Sequence, residues 1–452
     1  MKVTVLGAGL SGSEATWQLV KRGIEIDLYE MRPSTTTKAH KTGLFAELVC
    51  SNSLRGAELS QAVGLLKAEL RECGSLIIEA ADYAAVPAGN ALAVDREQFS
   101  YYIDSKLRKH PLVNVIEKEV LSIPAASRET PVIIATGPLT SPTLANVILE
   151  ICGESGLHFF DAISPILYYD SLNLDELFKQ SRYNKGSGDD YINIPLTQEQ
   201  YLKFHQDVCE AEKFGGHAEV EADMIEGTVP FEGCLPIEEM ASRGVDTLRY
   251  GPLKGKGLTD PKTGREPYAA IQLRPDNKSA TLWSLVGMQT RMRRPEQERI
   301  FRSLPGLENA EFARYGSVHR NTFINSPKHL NNTTEFRNIP GLLCAGQFSG
   351  VEGYLESTAS GLVAGINAWA AVTGKDLMPF PIDSAIGSLI NYISDPDRKD
   401  FQPMNVNFGI MPLYEQQPER NERGGKIPKK DRRLRTAKIA LENIKKFMMQ
   451  IQ

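Results

Sequence analysis

Two cysteines and one glycine-rich turn are the residues whose types and settings point to chemistry. Cys50 lies in Leu48-Val49-Cys50-Ser51-Asn52-Ser53, ahead of small polar residues that favour turns and helix starts. Cys234 lies between Gly233 and a Leu235-Pro236 bend, outside any regular apolar period. A thiol of ordinary pKa is only ~3% thiolate at pH 7, and a shift down to about 7 ionises half of it. A reactive role therefore requires a nearby cation or helix N-terminus, and Arg55 and Arg243 are near in sequence. Without such a neighbour each cysteine reads as a small buried hydrophobe. The other four rank lower. Cys73 falls on a helical stripe with Val63, Leu66, Leu70 and Ile77, Cys152 at a helix end, Cys209 on a helix with Phe204 and Val208, and Cys344 inside a strand.

The glycine-rich turn is Gly7-Ala8-Gly9-Leu10-Ser11-Gly12. It follows the apolar run Val3 to Leu6, continues as a helical pattern to Arg22, and re-enters alternating apolar residues at Ile24, Ile26 and Leu28. In such a strand-turn-helix-strand unit Gly7 permits the tight turn, Gly9 lets backbone approach a pyrophosphate, and Gly12 lets the helix pack close to the strand. The helix N-terminus then offers unpaired N–H groups and partial positive charge to an anion. Glu30 closes the second strand at the distance from which a carboxylate accepts hydrogen bonds from a ribose.

These parts must be carried by a chain of 452 residues with 41% hydrophobic and 24% charged residues and a net charge of −5. Length suggests about three domains, or two with one split. The charge argues against a protein that coats nucleic acid by bulk attraction but leaves room for a local basic patch. The first strand begins at residue 2 or 3 with no charged leader, no apolar run approaches a membrane span, and the cysteines form no CxxC pair. The expectation is a cytoplasmic protein with reduced thiols, no membrane partner and no metal site.

A polar loop, Ser34 to Lys41, follows the second strand, where ligands sit in this fold. A helical spacing runs from about Glu58 to Glu79, Asp95 with Gln98 starts a helix that Pro111 ends, and Val132 to Gly137 reads as a buried strand running into a turn. From about Ser164 to Ile324 strands and helices no longer alternate, with Ala269–Leu273 and Thr281–Val286 as strands of a sheet. Beyond it, Gly341 to Gly346 returns to the buried-strand pattern. Gln347 to Tyr354 is a second glycine-rich turn before a helix from Glu356 to about Ala370. The expected fold class is α/β: a split Rossmann-like FAD-binding domain of glutathione-reductase type, residues 1–163 and 325–452, with an α+β domain, 164–324, inserted. Basic residues cluster at Lys254 and Lys256, at Arg291, Arg293 and Arg294, and in the tail at Lys429, Lys430, Arg432, Arg433 and Arg435. Such runs are usually solvated faces, but three in an acidic protein could form a footprint for a phosphate backbone.

With these residues in view, the chain resembles the TrmFO family of folate- and flavin-dependent tRNA (uracil-5-)-methyltransferases. The resemblance is carried by GAGLSGSEA at Gly7, LFAELVCSNSL at Leu44, FEGCLPIE at Phe231, DNKSATLWSLVGMQT at Asp276, PGLENAEFARYGSVHRNTFINSP at Pro305, AGQFSGVEGYLES at Ala345 and PMNVNFG at Pro403. Together these span nearly the whole chain. The resemblance implies FAD in the split domain, with Gly7 to Gly12 and Glu30 at its ADP half and Gly346, Gln347, Gly353 and Glu356 near the other half. It implies methylenetetrahydrofolate as carbon donor, NADH or NADPH as reductant, and C5 of a uridine in the tRNA T-loop as acceptor, with RNA rather than DNA as partner. Cys234 would be the nucleophile and Cys50 its partner, base or protector. His319 would stack on the folate pterin, where the residues alone suggest only a structural histidine. Lys254, Lys256, Arg291, Arg293 and Arg294 would contact RNA, in two stretches that depart from what is common in the family.

Three other readings compete. The same chemistry could act on a ribosomal RNA uridine. A pyridine-nucleotide disulfide oxidoreductase would need two cysteines a few residues apart, and Cys50 and Cys73 are over twenty apart. A non-catalytic flavin-bound RNA-binding protein would tolerate Cys234→Ala.

Overall fold

The computed structural model describes residues 1–37, 39–153, 157–213, 235–398, 401–420 and 425–451; of 157–163 and 318–321 it describes the backbone only. Its first unit is built as the residue pattern requires. β1 (Lys2–Leu6) buries Val3, Val5 and Leu6, and α1 (Leu10–Val20) leads into β2 (Glu25–Glu30), which pairs with β1 in parallel, Val5 opposite Leu28. They form the centre of a five-stranded sheet in the order Leu342–Cys344, Val132–Ile134, β1, β2, Val113–Glu117, in which every pairing is parallel. A parallel sheet needs cover on both faces. Part of that cover is the helix Tyr354–Val372, buried almost throughout, which crosses α1. The strand nearest the C-terminus thus sits beside strands from the first third of the chain, and the sheet is a Rossmann-like one.

The helical stretch expected from Glu58 to Glu79 is two helices, Ala62–Glu72 and Leu76–Tyr83. Gly74 adopts φ +64°, which ends the first. Ser75 caps the second through Ile78 N–H, and the fully buried carboxylate of Glu14, on α1, accepts from Ser75 Oγ at 2.6 Å and Ile77 N–H at 3.2 Å. Cys73 is buried as its stripe suggested. Asp95 caps Arg96–Arg108 by accepting from Gln98 N–H at 3.0 Å. The helix after the second glycine turn begins at Tyr354, earlier than the spacing suggested.

A second sheet, six-stranded and antiparallel, runs in the order Phe178–Lys179, Ile192–Leu196, Ala269–Pro275, Leu282–Leu285, Ile166–Tyr168, Phe312–Arg314. One face carries Ile194, Ile271, Leu273 and Leu285 into its own core. The other carries Asn193, Gln272 and Arg274, polar side chains that are nevertheless buried. The strands Leu157–Ile163 and Ser317–Phe323 pair with each other where the chain enters and leaves this region.

One buried cation strains the fold. Lys67 has no exposed surface, and its ammonium donates to Gly56 O at 2.8 Å. Burial first, then the charge of Arg55, lowers its pKa to about 7 against the pull of Glu356. Between about pH 7 and 10.4 the unfolded chain holds a proton that the folded one has released, so folding gains stability as pH rises through that window. Lys67→Met removes this dependence. The variant is expected to melt above the parent at pH 7, by an advantage that shrinks by up to about 1.4 kcal/mol per pH unit toward pH 10. A constant difference across that range, measured by denaturant titration, would refute the assignment.

Candidate functional site

The turn after β1 opens one side of a cleft holding about 1020 Å³ of empty space, open solvent at its mouth included. Each glycine has a distinct duty. Gly7 is at φ +98°, and a Cβ there would meet Ala135 O at 2.6 Å; one on Gly12 would meet Gly7 O at 1.8 Å. A Cβ on Gly9 would meet nothing within 4 Å, because that side of the backbone is open. Gly9 is also the N-cap of α1, no side chain caps it, and the first turn carries no acid. The arrangement suits an anion brought against bare N–H groups.

Of the residues singled out for a dinucleotide, Gly7, Gly9, Leu10, Ser11, Glu30 and Gln347 line this cleft. Ala8 and Gly12 lie just beneath it, where Ala8 N–H donates to Glu30 Oε2 at 3.0 Å. Glu30 itself is buried and held by Arg32, whose Nε donates to Oε1 at 2.9 Å and Nη2 to Oε2 at 3.2 Å. Burial pushes its pKa up, but the hydrogen bonds and charge of Arg32, with backbone N–H donors, outweigh this and hold it below the usual carboxylate value. Glu30 is therefore an anion at the C-terminal end of β2. Arg32 also lines the cleft, as do Ala135, Thr136 and Gly137 where the strand Val132–Ile134 ends.

The second glycine-rich turn forms the opposite wall differently from expectation. Gln347, Tyr354 and Ser357 line the cleft, whereas Gly346, Gly353 and Glu356 do not. Gly346 lies against Ser11, whose Oγ a Cβ would approach to 2.5 Å. Glu356 has no exposed surface; it pairs with Arg55 and accepts Val406 N–H at 3.0 Å. Its visible work is to tie three segments together.

Cys50 is half-buried beside this wall. The Tyr354 hydroxyl oxygen accepts backbone N–H from Cys50 at 2.7 Å and from Ser51 at 3.1 Å, so a cleft-lining side chain holds the cysteine's own loop. Asn52, fully buried, donates to Val94 O and Pro275 O, and accepts from Arg274 at 2.7 Å; Arg274 also donates to Ser51 Oγ at 3.1 Å. The motif is thus clamped between the strand Ala91–Val94 and the antiparallel sheet. Arg55 is occupied by Glu356, while Arg96 and Arg314 are the guanidinium groups whose ionisation senses Cys50. Position along the chain gave no sign of either.

Cys234 lies outside the described residues; Leu235, next to it, is buried ahead of the helix Ile237–Ser242. The backbone of His319 lies in the strand Ser317–Phe323, opposite Asp161, and its side chain lies outside the described residues. Of the basic residues, Lys256 and Arg294 are exposed and Lys254 is half-buried. Arg291 pairs with Glu239 and Arg293 with Glu212 at 3.2 Å, so two of the three arginines already face carboxylates. The tail helix Lys429–Ile451 turns Ala437, Ala440 and Ile444 into the core and Lys429, Lys430 and Arg435 outward, while Arg432 and Arg433 lie over the rings of Tyr414 and Phe408 and Lys445 meets Glu72 at 3.3 Å.

The family model described as glucose inhibited division protein A (GidA) matches residues 2–376. The methylenetetrahydrofolate--tRNA-(uracil-5-)-methyltransferase TrmFO of Symbiobacterium thermophilum is 53% identical over 424 residues, which cover 94% of this chain and 93% of that protein. The TrmFO of Natranaerobius thermophilus is 50% identical over 448 residues, 99% of each chain. The chain belongs to the GidA family, among its TrmFO members. Aquifex aeolicus GidA superposes with a TM-score of 0.68 at 17% identity, over 100% of this chain and 75% of that one. At that identity the likeness speaks to the fold, a Rossmann-like α/β architecture shared across the family. The TrmFO relatives, in contrast, extend over essentially the full length, so the Cys50 loop, both glycine turns and the antiparallel sheet all fall inside the matched span.

Proposed function

We propose that the chain is a folate- and FAD-dependent methyltransferase that forms 5-methyluridine in the T-loop of tRNA. The observation that carries this reading is the hold of cleft-lining Tyr354 on the Cys50 loop, which puts a cysteine motif at the wall of a dinucleotide cleft. The names and full-length identity of the relatives support the same reaction class. Segments 1–163 and 325–452 would form the FAD-binding unit, with 164–324 inserted, and the site of action would be the cytoplasm.

The cleft fits FAD on three counts: an open approach at Gly9, an uncapped helix N-terminus, and an ionised carboxylate at Glu30. Gly7, Gly9, Ser11 and Glu30 would hold the ADP half, and Gln347 and Tyr354 would border the other. When bound, FAD would supply the reducing equivalents taken from NADH or NADPH and carry the one-carbon unit from methylenetetrahydrofolate.

The protein's own task is to make uracil C5 nucleophilic. The Cys234 thiolate would add to C6, forming a C–S bond and pushing the electron pair toward C5 and O4. Once C5 has gained the carbon, reduced to methyl by two electrons from NAD(P)H, its proton would leave to a base and the C–S bond would break, returning the thiolate. Cys50 would serve as partner, base or protector. His319 would stack on the pterin. Lys254, Lys256 and Arg294 would meet the phosphate backbone, Arg291 and Arg293 after release of their carboxylates, offsetting the few kcal/mol needed to extrude the base.

Purified protein incubated with unmodified tRNA, methylenetetrahydrofolate and NAD(P)H should be yellow and should produce 5-methyluridine. Cys234→Ala and Cys50→Ala should each lose methylation by about a thousandfold or more with flavin still bound. Turnover retained in Cys234→Ala would remove the nucleophile assignment. In a deletion strain, 5-methyluridine lost from rRNA but kept in tRNA would move the substrate.

A further inference from the structure

Arg314 ends the strand Phe312–Arg314 at one edge of the antiparallel sheet. Residues directly opposite one another on an antiparallel ladder point to the same face. A β-bulge between Phe312, which packs on the sheet's own core, and Arg314 sets Arg314 opposite Ile166; Ile166 stands opposite Ser284, and Ser284 opposite Arg274. Arg274 is the residue that grips Asn52 and Ser51. The face bearing Arg314 is therefore the one turned to the Cys50 loop, and Arg314 lies near enough for its charge to be felt by Cys50, Tyr354, Arg96 and Asp276.

Three guanidinium groups, Arg96, Arg274 and Arg314, there all feel the carboxylate of Asp276. Arg96 takes it, with Nε 2.9 Å from Oδ2, and donates to Leu48 O. Arg274 gives its hydrogen bonds to Asn52 and Ser51. The Arg314 side chain makes no hydrogen bond or ion pair with any described residue. It is half-buried all the same, and burial, followed by the like charge of Arg96, lowers its pKa. The backbone just beyond it is held rigidly, because buried Gln297 accepts from Gly316 N–H at 2.8 Å and donates to Gly316 O at 3.0 Å. A half-desolvated cation kept in place without a partner among the described residues calls for an anion from outside.

Apart from NADH or NADPH, whose nicotinamide must meet the flavin, two substrates of the proposed reaction carry oxyanions. The carboxylates of a folate are separated from its one-carbon unit by the whole aminobenzoyl ring, whereas a nucleotide's phosphate is one sugar away from its base. An anion site that senses Cys50 fits the second. We infer that Arg314 is the receptor for a phosphate of the RNA at the nucleotide whose base meets Cys50, engaging it with the paired donors of its guanidinium. The inference rests on the reading that places Cys50 at the reacting base.

The test uses full-length flavin-loaded protein carrying Arg314→Met or Arg314→Lys. Arg314→Met should weaken tRNA binding about ten- to hundredfold and lower the slope of log K against log salt by about one. It should leave the KM for methylenetetrahydrofolate within about twofold, and flavin content and melting temperature undiminished, since no side-chain bond to a described residue is lost. Arg314→Lys should recover part of the affinity. A raised folate KM with tRNA binding unchanged would mean that the anion is the folate carboxylate, and no change in either would mean that there is no anion site; both overturn the inference. Cys50→Ala separates the two claims. Full methylation by that variant, with tRNA binding still weakened by Arg314→Met, would overturn the role of Cys50 and leave the phosphate site standing.

Discussion

Gly361→Val should yield a colourless protein that melts well below the parent. Gly361 lies on the helix Tyr354–Val372 where it crosses α1, and a Cβ there would fall 2.2 Å from Ser11 O and 2.7 Å from Ser11 Cα. Both are backbone atoms, so no side chain can swing aside. One turn on, a Cβ on Gly365 would meet Ala15 O at 2.7 Å, so the two glycines form one face that lets the helices touch. Adding Cβ and two methyl groups must part them, at a cost of about 3 kcal/mol or more. The loss would not stay local, because Ser11 also lines the cleft and Gly9 caps α1 at the proposed pyrophosphate site. Flavin absorbance and thermal melting would read the result. Parental colour and melting in Gly361→Val would mean that the crossing is looser than described.

Arg274→Met is expected to separate chemistry from cofactor binding. The side chain is buried and donates to Asn52 Oδ1 from Nη2 at 2.7 Å and from Nε at 3.2 Å, and to Ser51 Oγ at 3.1 Å. Without it Asn52 keeps its donated bonds to Val94 and Pro275 but leaves a buried carbonyl oxygen unsatisfied, a loss of about 2–3 kcal/mol. The Cys50 loop would then keep Tyr354 and the Asn52 amide bonds but lose the fork that fixes Ser51 Oγ and Asn52 Oδ1. Displacement of a reacting group by about 1 Å can cost a hundredfold, so single-turnover methylation should fall by about that factor or more, with flavin retained. Arg274→Lys should not rescue it, because an ammonium cannot reproduce the forked donors. Methylation at the parental rate would show that the clamp on Ser51 and Asn52 is irrelevant to the reaction.

Some of this molecule is written in local order. The run from Val3 to Glu30 needs only period-two strands, a period-3.6 helix and glycines in a tight turn, and these are visible within thirty residues. Asp95 announces its helix by a capping pattern three residues long, and Cys73 its burial by the spacing of neighbouring apolar residues. Ala269–Pro275 and Leu282–Leu285 are legible for the same reason. The partners of charged groups are not. Glu14 accepts from Ser75, sixty-one residues away; Glu356 turns from the cleft to Arg55; Arg291 and Arg293 find carboxylates on other elements; and Arg96, Arg274 and Arg314 converge on the Cys50 loop from two strands and a helix. Residue order alone determined the strand, glycine turn and helix that open the cleft, and which two cysteines fall outside a regular apolar stripe. Tertiary structure decided what surrounds Cys50, because charge acts through distance in space and leaves no period along the chain.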